Sequence, residues 1–209
     1  MHIYHVLLEL IWIRSHPASL YRVMTSLGDA VKDSGNAIDK ASKSGSDEYL
    51  DSVIDEECGV IENLIGSAFV TCQAEITAVV SHAIRIHDAA KNAGHILSSS
   101  DGTKRGIMAV GSPLVGQTKY TQIQVINAFA NYFKHGDEWD TTWDKLPNRE
   151  KQTADVILAM GGAEFSTGNL RKGAEALGVN YDELHLLAEC VQKWSSLRFT
   201  TPTRTNSRA

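Results

Sequence analysis

The sequence predicts an all-α fold: a bundle built on one long helix, with a second helix packed along it and three shorter helices closing the assembly. Three observations predict it. Apolar residues recur at three- and four-residue steps over most of the chain, no stretch shows the β-branched alternation of strands, and only 4 prolines interrupt 209 residues. A content of 43% apolar and 22% charged residues fits one core-bearing domain with appendages. It excludes collagen-like, mucin-like and fully disordered chains. The formal net charge of −5 speaks against a surface that coats nucleic acid everywhere and leaves room for a local basic patch.

Residues 1–46 are set apart as an N-terminal extension or helix. Within them, residues 1–13 form the most apolar stretch, which lacks a basic leader and carries Glu9. It is too short to cross about 30 Å of hydrocarbon. It reads as an amphipathic or oligomer-facing segment, as an upstream extension from a misplaced start codon, or as a vestigial signal. Residues 47–199 form the helical domain. Ser46 is placed to cap a helix that opens on Asp47 and Glu48, acids that favour a helix N-terminus. From Leu50 and Val53 through Ile65, Phe69, Cys72, Ile76 and Val80 to Ile86 the helical period persists. One helix, or two nearly collinear ones meeting near Gly66, is expected over residues 47–95. A helix of that length needs packing along most of it.

Residues 98–118 collect Gly102, Gly106, Gly111, Pro113 and Gly116 and read as a long loop, the kind of segment that carries function. Lys104 and Arg105 lie in it and Lys119 just beyond, the only basic cluster in mid-chain. Further helices are expected over residues 120–135, 148–160, 170–177 and 182–199, with a polar, disordered tail at 200–209. Cys58, Cys72 and Cys190 form no CxxC pair and are odd in number. They read as buried thiols of a reducing cytoplasm.

The 120–135 helix carries the chemistry. At about 100° per residue, Val125, Ala128, Phe129, Tyr132 and Phe133 share a core face. Gln124, Asn127, Asn131, Lys134, His135 and Glu138 fall on the opposite side. Asn costs about 0.5 to 0.7 kcal/mol relative to Ala inside a helix, so a merely solvated face favours Lys, Glu, Gln and Arg. Asn127, Asn131 and His135, at four-residue steps, instead resemble groups that face a ligand or a symmetry mate. The same stripe also reads as a plain polar face whose terminal His favours the helix dipole. Glu75 and Gln73 on the long helix are the polar partners it would meet.

The string Ala128-Phe129-Ala130-Asn131-Tyr132-Phe133-Lys134-His135-Gly136-Asp137-Glu138-Trp139 resembles the motif helix of the HEPN superfamily, small all-α domains of bacterial defence and toxin–antitoxin systems. Ile65 to Gln73 looks like the long helix that precedes it. The resemblance spans residues 47 to 198 in helix order and is specific only around Asn131 to His135. Many HEPN domains are metal-independent ribonucleases whose signature is an Arg, a following Asn and a His. Asn131 and His135 match it; position 130 is Ala, and no Arg lies four to six residues before any histidine.

That resemblance implies a homodimer bringing two such stripes together, RNA or a nucleotide as ligand, and an antitoxin or other protein partner. It implies no cofactor and no membrane. RNA cleavage through the 2′-hydroxyl needs groups that move protons and a cation that stabilises the phosphorane. An imidazole titrates near neutrality, so His135 would be the acid or base, with Asn131 orienting it or the phosphate. Lys134 would supply charge, as would Lys104, Arg105 and Lys119, and Asn127 would add a polar contact. Lys lacks the bidentate phosphate grip of Arg. The alternative is therefore a catalytically inactive dimerisation or partner-binding module.

Other chemistries fit poorly. His82 and His87 are not at the i, i+4 spacing of a helical metal pair, and the acids from Asp137 to Asp144 lack the ligand order of an EF-hand. Trp139 and Trp143 among them read as pinning a loop to the core or as stacking on bases. There is no P-loop and no GxSxG elbow.

Overall fold

A computed structural model describes residues 17–44, 46–92, 94 and 102–197; the expectations for residues 1–13 and 200–209 lie outside them. The all-α expectation is met. The described residues form seven α-helices and two short 3-10 turns joined by turns and loops, with no β-strand among them. They are α1 (Pro17–Ser44), α2 (Asp47–Asn92), α3 (Lys104–Ala109), α4 (Gln122–His135), α5 (Asn148–Ala159), α6 (Asn169–Ala176) and α7 (His185–Leu197).

Of residues 1–46, set apart as an extension or helix, residues 17–44 form a full helix, α1, packed along α2 and α7. Leu20, Met24 and Val31 drive it into the core. Gly28 lets the backbone of Asp182 come within 2.5 Å of where a Cβ would stand. Its C-terminal half buries Ser34 and Ala41, small residues that give a weak apolar period.

Helix α2 is continuous over 46 residues, about 69 Å at 1.5 Å per residue. Gly66 does not break it, and the Phe133 ring of α4 occupies the space a Cβ would take there. The fully buried residues of α2 run only from Ile65 to Val80. Its first third lies against α1 and the start of α6. By length and composition α2 is apolar enough to cross a membrane, and half of its most apolar stretch is buried inside the fold. Packing accounts for that apolarity.

Residues 98–118 were expected as a loop throughout, but α3 forms inside them. The Thr103 side chain caps it by accepting from the Gly106 N–H at 3.1 Å, and Ile107 and Met108 bury its inner face. A tight turn follows, closed by Val115 N–H donating to the Tyr120 carbonyl at 2.9 Å.

Helix α4 opens with a capping box in which Thr121 and Gln124 satisfy each other's backbone donors. It is the inner helix of the bundle, touching α2, α3, α5, α6 and α7. Ile123, Ile126 and Ala130 are buried beside the expected core residues Val125, Ala128 and Phe129. Phe129 stacks on Phe69 with ring centroids 5.3 Å apart, and Gly173 of α6 makes room for the Phe129 ring. Trp139 and Trp143 pack edge to face on each other and against Tyr132, so they pin the loop to the core. Buried Asn169 ties the same region down by donating to the Tyr132 hydroxyl at 3.0 Å and the Ala163 carbonyl at 2.8 Å.

Candidate functional site

The polar stripe of α4 does not simply face away from the core. Its centre is clasped by Gln73, a buried residue of α2. The Gln73 amide nitrogen donates to Asn131 Oδ1 at 2.8 Å, to Asn127 Oδ1 at 3.1 Å and to the Asn127 carbonyl at 3.2 Å. Its oxygen accepts from Lys134 Nζ at 2.7 Å. Four-residue spacing stacks Asn127 and Asn131 on one side of α4, and Lys134 falls next to them. One glutamine from the neighbouring helix can therefore reach all three. Of the two polar partners expected on α2, Gln73 connects to the stripe through these bonds. Glu75 stands half-buried nearer Cys72, whose thiol is pushed up by burial, with the Cys190 and Glu75 charges adding to the effect.

Lys134 also belongs to a cationic face. Partial burial holds the Lys104 ammonium below its usual pKa, and the nearby charges of Lys134 and Arg149 add to the shift. Lys104 is thus within electrostatic range of a cation on each of two other helices: Lys104 opens α3, Lys134 lies in the last turn of α4, and Arg149 is the second residue of α5. Cations are favoured at helix C-termini and disfavoured at N-termini. Lys134 therefore sits well for its helix, while Lys104 and Arg149 sit against theirs. Among the described residues none of the three enters an ion pair.

The remaining expected site residues stand apart from this cluster. His135 is exposed at the end of α4, with Nδ1 3.3 Å from Glu138 Oε1. Arg105 is exposed beside Lys104. Lys119 places its ammonium 5.4 Å from the centroid of the adjacent Tyr120 ring. Ala130, at the position of Arg in the HEPN pattern, is fully buried, because its side of α4 faces the interior with Ile123 and Ile126.

Sequence reading missed Arg149. A basic residue in the first turn of a helix was the available signal, but its nearness to Lys104 and Lys134 is tertiary. His82 Nδ1 and Arg85 Nη2 lie 2.7 Å apart; burial and the Arg85 charge lower the His82 pKa, which suits a neutral, accepting imidazole. The cysteines were expected to be buried, and Cys58 is exposed. It lies on the first third of α2, where fewer elements pack. Among the described residues no three His, Cys, Asp or Glu side chains are grouped to share a metal ion. No family model, curated protein or solved structure matches the chain.

Proposed function

We propose that this protein is a HEPN-like helical module that binds the phosphate backbone of RNA at the face where Lys104, Lys134 and Arg149 meet. The convergence of these three cations, two of them set against their own helix dipoles, carries the reading. Such an arrangement is unfavourable in the free protein, and arriving phosphates relieve it while releasing their counterions. Gln73 fixes the Lys134 side chain before the ligand arrives, which lowers the ordering cost of binding.

Binding is favoured over cleavage by two observations. The position of the family's Arg is a buried Ala130, so no guanidinium is available there to grip a phosphorane. His135 is turned toward Glu138 and is not hydrogen-bonded to Asn131.

The test is fluorescence anisotropy with a labelled single-stranded RNA over a range of salt concentrations. Each phosphate contact to a single strand contributes about 0.7 to the slope of log affinity against log salt, so three contacts give a slope near −2. Lys104→Ala, Lys134→Ala and Arg149→Ala should each remove about 0.7 from it. Salt-independent binding, or an unchanged slope in all three variants, sinks the proposal. RNA cleavage by the wild type that His135→Ala abolishes would replace it with the ribonuclease reading.

A further inference from the structure

A groove of about 1070 Å³ lies between the second half of α1, the first third of α2, the end of α4 and the α5–α6 connection. It is larger than most small-ligand pockets, about 300–1,000 Å³, and is partly open to solvent. Its apolar lining comes from Ile38, Ile54, Ile61, Phe133 and Leu170.

The glycines of the two long helices show how this surface is built. A glycine inside a helix costs about 1 kcal/mol relative to Ala, and α1 and α2 carry four: Gly28, Gly35, Gly59 and Gly66. Gly28 is explained by the Asp182 backbone and Gly66 by the Phe133 ring, each of which fills the place of a Cβ. Gly35 lies seven residues after Gly28 and Gly59 seven before Gly66. A step of seven returns a helix to nearly the same face, within about 20°. Both outer glycines line the groove, and nothing stands within 4 Å of a Cβ at either. The close-packing face that the fold uses at Gly28 and Gly66 therefore continues into the groove, where the chain supplies no further partner among the described residues.

Charge selects the occupant. Asp39, Asp55, Glu62, Asp137 and Asp182 line the groove. Glu62 is partly committed, since the backbone N–H groups of Arg171 and Leu170 favour its charged form from the start of α6. The four aspartates form no ion pair among the described residues. The opposing cations are Lys32 and Arg171, and Arg171 is taken up by Glu175 at 2.8 Å and by the face of Tyr181. A second copy docking through this surface would set acids against acids. We infer that the groove receives a basic amphipathic helix from a protein partner, its apolar side against Ile38, Ile54 and Ile61, its backbone close to Gly35 and Gly59, and its Lys or Arg residues beside Asp39 and Asp55. This is a helix-in-groove interaction.

The experiment uses the full chain and a fluorescein-labelled amphipathic peptide of Leu and Lys about 18 residues long, with a Leu–Glu peptide of the same spacing as control. Anisotropy should show binding of the Lys peptide only. Gly59→Trp, which fills the groove without touching its charges, should weaken it about tenfold, and Asp39→Lys with Asp55→Lys at least as much. Exposed Cys58 also lines the groove, so its alkylation should slow when the Lys peptide is bound. Equal binding of the Leu–Glu peptide, full affinity in Gly59→Trp, or an unprotected Cys58 overturns the inference. So does a wild-type self-association that Gly59→Trp abolishes, which would give the groove to a second copy. Arg149→Ala, outside the groove lining, should lower RNA affinity and leave peptide affinity unchanged, which keeps this result separate from the RNA measurement.

Discussion

Gln73→Leu and Gln73→Glu separate the structural role of the clasp from its electrostatics. The Gln73 amide makes two good donor bonds, one of them shared between the Asn127 oxygens, and accepts a third from Lys134. A neutral bond contributes about 0.5–1.5 kcal/mol net. The bond from Lys134, whose ammonium is at the surface, contributes less than about 1 kcal/mol. In Gln73→Leu the buried side chain recovers about 1 kcal/mol through apolar burial, and the asparagines, both partly exposed, can bind water. The expected loss is about 1–2 kcal/mol, or roughly 3–6 °C in Tm for a chain of this size.

Gln73→Glu keeps the Lys134 contact but turns the former donor into an acceptor facing the Asn127 carbonyl, which cannot flip. About 3 kcal/mol should be lost near pH 8. Burial and oxygen neighbours raise the introduced carboxyl's pKa in the folded state above its unfolded value of about 4.3, and the screened Lys134 charge only partly offsets this. The penalty is therefore absent below about pH 4.3 and grows as pH rises through the folded value. Thermal melts followed by circular dichroism at pH 8 and pH 5 provide the assay. Gln73→Glu should approach the wild type at the lower pH while the Gln73→Leu deficit stays constant. A Gln73→Glu protein as stable as wild type at pH 8, or a pH-independent gap, would refute the proposed geometry.

Three further outcomes can be checked by the same melts. Gly66→Ala drives a Cβ into the Phe133 ring and should cost about 2–3 kcal/mol; adding Phe133→Leu should restore part of it. Burial raises the Glu62 pKa, and the backbone N–H groups of Arg171 and Leu170 only partly oppose it. That carboxyl's contribution to stability is thus fully present below its unfolded pKa and is lost as pH rises through the folded one. Glu62→Gln should accordingly lose less stability than wild type between pH 4.5 and 8. Phe165 has φ 52° and is 80% exposed, so Phe165→Asn, which tolerates the left-handed region, should stabilise the protein by about 1 kcal/mol.

The helices were legible where apolar period and length agree, as in α2, whose stripe runs unbroken from Ile65 to Val80. Helix α1 was not, because Ser34 and Ala41 fill core positions that Leu or Ile would have announced. Helix α3 has 6 residues and includes Gly106, too short to impose a period on a glycine-rich stretch. Within the site, Asn127, Asn131 and Lys134 were legible as a group from their spacing on α4. The direction they face was not, since a helical wheel places the core opposite the polar residues and cannot register that a buried amide on α2 meets them. Arg149 was beyond reach for a related reason. Its charge becomes meaningful only when α5 folds back against α4.

The net charge of −5 takes a different meaning once it is placed on the fold. Seven of the 25 acidic residues lie between positions 47 and 62, where there is no Lys or Arg, so the rest of the chain carries a net +2. The acidic segment is the first third of α2, and Gln73 marks where the basic face meets the same helix. From Asp55 to Gln73 the helix axis advances about 27 Å. That is several times the screening length of about 8 Å at physiological salt. The outer acidic end of α2 and the basic face are therefore largely screened from each other in solution, whereas the α4 end of the groove, lined by Phe133 and Asp137, lies next to Lys134 and stays within its field. At low salt, where screening extends to about 30 Å, the fields overlap. RNA and a basic peptide bound together should then favour each other, each offsetting charge that weakens the other's site. Coupling that persists at high salt would mean that a conformational change along α2 links the two ends.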